Sequence, residues 1–363
     1  MYRQGVKMID NKIVMDRINK LKIIACLLIV LGHSTAIYTG NWVFKSEQTS
    51  FFYKNLSIYV SGFHLILFVF ASGFIYAYCR EKKDKYKSLK ELIKIKFKRL
   101  IIPYCFVGAF FMIPIGMILN IERYRNSYII NLRSFIVGRN NGHLWFLMML
   151  FILFIIFYML EKILLRKGKE KILIILMIVA NIISTKVPDY FELSNVFYYC
   201  IYFYVGYKCY VTSEKGFKKV DIYLNKNRNK VFVFSFVLIA GLLYMVKNLK
   251  YYFIFTIMVQ KILYFFIGIL GVAHIYTFIL LIEKYCIINK IIKFIGKHIF
   301  NIYLLHEPII FIILSNINKD SLSPMIVSST CMLLSVTIST LLSEIYYRIK
   351  EIKNERKQNV FLN

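Results

Sequence analysis

An all-helical, polytopic membrane protein is the fold class that the amino-acid sequence predicts, and three observations predict it. Hydrophobic residues make up 58% of the 363, charged residues only 18%, and the mean hydropathy is +0.59, far from the balance of a soluble domain. Apolar runs of about 17 to 25 residues, the length that crosses a ~30 Å hydrocarbon core as helix, recur along the chain. The remaining charges are mostly of one sign, 48 Lys and Arg against 19 Asp and Glu. They cluster between the apolar runs, a distribution that excludes a nucleic-acid binder and fits membrane loops. The hydrophobicity excludes a disordered chain.

Read between charged boundaries, the runs give ten helices: 21–39, 56–79, 100–120, 143–160, 172–184, 194–211, 231–246, 262–282, 295–315 and 324–347. The first follows a polar, basic tail (1–20) and carries no small-residue cleavage site behind it, so it reads as a retained span. The second contains Ala71-Ser72-Gly73, small side chains that let a neighbouring helix approach closely. Ahead of the third, YKSLKELIKIKFKR (86–99) sets Ser88 and Glu91 in capping-box spacing and interleaves apolar residues with lysines. That pattern predicts an amphipathic helix on the inner membrane surface, held by anionic lipid or holding an anionic ligand.

The loop 121–142 before the fourth span holds Arg123, Arg125, Arg133 and Arg139. Arginine on that side runs against the orientation rule and suggests a site for an anionic or sugar-phosphate acceptor. The fifth run is about two-thirds of a normal span, with Lys171 and Lys186 placed to snorkel. The sixth to tenth are apolar runs ending in a basic tail, 348–363. No connector is long enough for a soluble domain, so one transmembrane domain covers 21–347.

Orientation follows from the charges. Of the 48 Lys and Arg, 36 fall on the side of the two tails and 11 on the other, with Lys22 inside the first span. The excess places both termini in the cytoplasm. Seven cysteines show no CxxC spacing and sit mostly in apolar runs, so neither a metal site nor a disulfide framework is indicated.

Ionisable groups inside a span cost several kcal/mol unless they face a cavity or a partner. Those present are His33, His64, His143, His274, His298, His306, Glu307 and Glu344. Lys22 and His33 are eleven residues apart, which puts them within ~20° of one helical face and ~16 Å apart along it. In the ninth span, His306-Glu307-Pro308 sets two ionisable residues beside a proline that frees a backbone carbonyl. No Walker loop, GxGxxG, HExxH or GxSxG is present, so the chemistry belongs within the membrane.

Taken in order, six segments resemble the membrane acyltransferase-3 family, in particular its short, stand-alone sugar O-acetylase-like members. They are NKLKIIACLLIVLGH ending at His33, FHLILFVFASGF (63–74), FKRLIIPY (97–104), GHLWFL (142–147), YFYVGY (202–207) and IGKHIFNIYLLHEPI (295–309). Two positions depart from the family pattern: Lys22 stands where an arginine is usual, and Lys96 with Arg99 replaces an arginine pair. Lysine keeps the charge but not the bidentate fork.

The resemblance implies an O-acyltransferase of the bacterial plasma membrane that moves an acyl group, usually acetyl, from acetyl-CoA to a glycan or lipid-linked sugar. It implies His33 as general base, a role suited to neutral imidazole with its ordinary pKa of ~6.5. His64, His306 and Glu307 are the further catalytic candidates. Lys22, Lys96 and Arg99 would hold the CoA phosphates, and His143, Trp145 and Arg139 would contact the acceptor. Anionic lipids are the other expected partners, with no nucleic acid and no metal; the oligomeric state stays open. Mid-membrane His and Glu with a proline in the helix also suit a proton-coupled secondary transporter, the alternative from another class.

Overall fold

The computed structural model describes residues 11–212, 217–249 and 254–360. Among them are helices, turns and no strand. In chain order the α-helices are α1 (Asn11–Thr35), α2 (Phe51–Ser61), α3 (His64–Glu81), α4 (Leu89–Lys96), α5 (Ile102–Val107), α6 (Ile113–Ile118), α7 (Tyr128–Ile136), α8 (Trp145–Ile163), α9 (Glu170–Ile183), α10 (Leu193–Val211), α11 (Lys218–Lys226), α12 (Arg228–Asn248), α13 (Ile254–Ile282), α14 (Cys286–Asn316) and α15 (Pro324–Val360).

Every expected span is helical, and eight stretches among the described residues are long and apolar enough to cross a membrane. The fifth and sixth expected spans, α9 and α10, are not among the eight. α9 has 14 residues, too few for a bilayer. α10 carries six tyrosines and Lys208, which lower its apolarity. Its tyrosines are tolerated because α10 is packed inside the bundle, with Tyr202 and Phe203 fully buried.

Glycine sets that packing. A Cβ on Gly73 would fall 2.0 Å from the Phe203 carbonyl oxygen, and one on Gly206 the same distance from that of Phe70. The backbones of α3 and α10 therefore touch, which is what the small-residue triplet of the second span anticipates.

The capping box forms at α4: Ser88 Oγ accepts the Glu91 N–H at 3.2 Å, while the Glu91 carboxylate accepts from Lys87 and Tyr86. α4 is not a separate surface helix, however. It runs through a π turn, Phe97–Ile101, into α5, and a second π turn, Gly108–Met112, leads into α6. Each π turn hands over to a proline, Pro103 and Pro114. Proline lacks the N–H that an α-helix needs, and the wider turn absorbs the mismatch without ending the helix.

Contacts between distant elements define two faces. Arg17 at the start of α1 meets Glu283 after α13, and Tyr347 of α15 donates to the Lys297 carbonyl near the start of α14. These ends share one face, the tail face. On the opposite face Asp320 accepts from Ser46 Oγ at 2.9 Å and the Glu47 N–H at 2.8 Å, pinning the segment that follows α1.

Candidate active site

α14 passes through Pro308 without interruption. Pro308 has no N–H, so the Leu304 carbonyl four residues earlier has no partner within its own helix. His143 takes it from outside: its Nε2 lies 3.2 Å from that oxygen. The other ring nitrogen, Nδ1, is 2.7 Å from Glu307 Oε2, which also accepts the His143 backbone N–H at 2.7 Å. Tyr303 completes the grip by donating its hydroxyl to the His143 carbonyl.

The approach depends on Gly142, whose φ is +53°. A Cβ there would lie 3.2 Å from Glu307 Oε2 and 2.6 Å from the Met112 methyl. A carbonyl can only accept, so His143 Nε2 carries a proton, and Nδ1 faces the Glu307 carboxyl group.

Two more imidazoles stack against it. His306 lies 4.5 Å from His143 and His33 lies 5.2 Å from His306, centroid to centroid and edge to face. His306 Nδ1 points at the Tyr303 carbonyl, 2.8 Å away, so it donates and leaves Nε2 with a lone pair. That Nε2 is buried without a partner, as is Nδ1 of His33. Unmatched polar atoms at this depth are uncommon and call for an explanation. Trp42 covers His33 at 5.9 Å, and Arg123 is near enough for its charge to act on His33 and Glu307.

The expected site residues divide into three places. His33, His143, His306 and Glu307 come together as described. Lys22, Lys96 and Arg99 also meet, close enough for their charges to act on one another. The Lys96 ammonium sits over the Phe154 ring at 3.4 Å and the Tyr86 ring at 5.1 Å, and this group lies on the tail-face side of His33. Trp145 and Arg139 line an outer cavity on the opposite face.

His64 makes no ring contact with the stack, although it is near enough to His33 for the charges of the two to interact. It opens α3 and turns its Nδ1 to the Val60 carbonyl at 2.8 Å, which helps close the break between α2 and α3. His274 and His298 have structural partners, Ser235 and Ser343. Sequence reasoning placed His143 with the acceptor-binding residues, whereas its side chain is held inside the cluster by a residue 164 positions away. Trp42 was not singled out, and Arg123 was named only among the four arginines of loop 121–142; one of only two tryptophans next to a histidine-ended span was the available signal for the first.

A family model described as an acyltransferase domain matches residues 15–344. The chain belongs to the membrane acyltransferase-3 family. No curated protein and no solved structure matches it. Membership makes this protein a membrane acyltransferase, and the transporter alternative falls. The matched stretch takes in the histidine cluster, the basic group and the outer cavity together. Among the described residues no group of three or more His, Cys, Asp or Glu is arranged to hold a metal ion.

Proposed function

We propose that this acyltransferase carries an acetyl group from acetyl-CoA to a hydroxyl of a cell-envelope or exported glycan, with both termini in the cytoplasm of a bacterial cell. One observation carries the reading. A single helix, α1, brings Lys22 into a cationic group and His33 into an imidazole cluster, ~16 Å apart on the same helical face. An extended pantetheine arm covers that span, so phosphates held by Lys22, Lys96 and Arg99 would present the thioester near His33.

The reaction follows from the groups present. The acceptor oxygen attacks the thioester carbonyl carbon as His33 takes the hydroxyl proton, and a C–O bond forms. The carbonyl oxygen becomes negative within reach of Arg123, whose positive charge favours the tetrahedral state, while Glu307 and the Leu304 carbonyl hold His143 in place beside it. Collapse breaks the C–S bond, and the departing CoA sulfur takes the proton back from His33. His306 Nε2 provides a second bare lone pair beside His33, to hold the proton in transit.

The test is transfer of label from [14C]acetyl-CoA to envelope glycan by purified protein in vesicles, with longer acyl-CoA donors in parallel. Label in the glycan, lost with His33→Ala, supports the reading. Failure to bind acetyl-CoA at all would overturn the donor assignment. A reporter after residue 130 that reads cytoplasmic would overturn the orientation.

A further inference from the structure

A cavity of about 610 Å³ opens on the face opposite the tails. One wall is the chain from the end of α7 to the start of α8, with Arg139, Asn141 and Trp145. The other is the approach to α10, with Asp189, Glu192 and Asn195. Asn141 and Trp145 stand two residues either side of His143. The volume suits a small ligand of one or two rings.

Its floor is built. Glu192 is 3% exposed, and its two carboxylate oxygens accept from the amides of Asn141 at 2.8 Å and Asn195 at 2.7 Å. The two walls are tied by the Phe191 N–H donating to the Val137 carbonyl at 3.0 Å. Asn140, Phe191 and Glu192 all have positive φ, between +52° and +61°. Left-handed backbone costs a non-glycine residue roughly 1–2 kcal/mol, and three such residues around one cavity mark a site whose surroundings hold it in shape.

The charge balance here is unlike that of the rest of the molecule. In a chain of formal charge +29, this cavity sets two carboxylates, Asp189 and Glu192, against one guanidinium, and Arg139 lies over the Tyr190 ring at 4.5 Å. An entering carboxylate or phosphate would meet like charge. Sugar hydroxyls, which both donate and accept, match the mixed lining of carboxylate, amide and guanidinium groups, and Trp145 offers a flat face to sugar C–H groups.

We infer that this cavity seats an uncharged pyranose of the acceptor, and that Asp189, Asn195 and Trp145 select it against uronates and phosphorylated sugars. The inference replaces the anionic acceptor suggested by the arginines of loop 121–142. Its biological meaning rests on the glycan acyltransferase reading, but its test does not use the reaction.

Intrinsic tryptophan fluorescence of the purified full-length protein is titrated without acyl donor. The probes are cellotetraose and N-acetylchitotetraose, which are uncharged, and tetragalacturonate, which is anionic. A saturable change with an uncharged tetrasaccharide, absent in Trp145→Phe, is expected. Tetragalacturonate should bind at least tenfold more weakly. Asp189→Asn and Asn195→Ala should each weaken the uncharged sugar about tenfold, the size expected for one lost hydrogen bond to a charged or well-placed group. Preference for tetragalacturonate, no binding of either uncharged sugar, or unchanged affinity in both folded variants would overturn the inference. Sugar binding without acyl transfer would instead count against the proposed reaction alone.

Discussion

Two buried charged networks sit at opposite ends of α1, and they differ in what they leave unpaired. At the tail face Arg17 donates through Nη1 to Asp221 at 2.7 Å and through Nε and Nη2 to both oxygens of Glu283 at 2.9 Å. Tyr276 donates to Asp221 as well, and only one oxygen of Asp221 lacks a partner. This network is nearly closed: its charges are consumed in holding α1 against α11 and α13. The cluster at the other end leaves two imidazole nitrogens, on His33 and His306, bare in a buried site. A closed network explains itself as structure, whereas an open one costs ~1–3 kcal/mol for each unmatched group and calls for a substrate to complete it.

The largest test of that contrast is His33→Ala. Loss of a general base should lower turnover ~10²- to 10⁴-fold, with membrane insertion and thermal unfolding unchanged. Near-normal turnover in stably inserted protein would move the base to His306 and its neighbour Glu307. Arg17→Met should do the reverse. It leaves Asp221 without its cation and Glu283 with only Lys20, 3.7 Å away, and a broken buried pair costs ~3 kcal/mol or more, at the low end here because Glu283 is a quarter exposed. Thermal unfolding should fall by several degrees while turnover per folded molecule stays close to normal. A stable but inactive Arg17→Met protein would erase the distinction between the two networks.

Pro308→Ala sharpens the comparison from within the cluster. The new N–H can bond the Leu304 carbonyl inside α14 and withdraw it from His143 Nε2. About a tenfold loss of kcat/KM, with thermal unfolding unchanged or raised, is expected; unchanged kinetics would mean that the carbonyl does not matter to His143. At the basic group, Arg99→Ala should raise KM for acetyl-CoA severalfold and leave kcat alone, because a phosphate contact far from the reacting carbon is made equally in ground and transition states. A fall in kcat with unchanged KM would assign Arg99 elsewhere.

The smallest effect concerns the segment that carries Trp42. Asp320, outside the membrane spans, is held below the ordinary carboxylate range by the Glu47 N–H and then the Ser46 hydroxyl. A carboxyl whose pKa is lowered on folding lends stability above its ordinary value and loses it as pH falls through the lowered one. Trp42 emission, read in a Trp145→Phe background, should therefore stay constant from neutral pH to about pH 4 and shift only in stronger acid. Asp320→Asn should remove that acid shift, and its persistence would mean that another group pins the loop.

Much of this protein was legible locally. Hydropathy marks helices because each apolar run meets lipid or core over its own length, so all ten runs are helical, eight of them long and apolar enough to cross a membrane. Capping chemistry acts across three residues, so Ser88 and Glu91 announced α4. The alignment of Lys22 with His33 follows from helical geometry alone. Other features were decided only by packing. α10 reads as too tyrosine-rich to cross unaided, yet glycine contacts with α3 take it inside the bundle. His64 lies inside one apolar run and His143 at the start of another, and nothing near either in the chain says which one a distant helix will hold. What separates them is whether another helix offers an acceptor: Pro308 leaves the Leu304 carbonyl open and Glu307 stands beside it, while His64 finds its partner one turn away at Val60. Hydrogen bonds across 160 residues depend on where whole helices come to rest, and that placement is a property of the packed bundle and not of any local stretch.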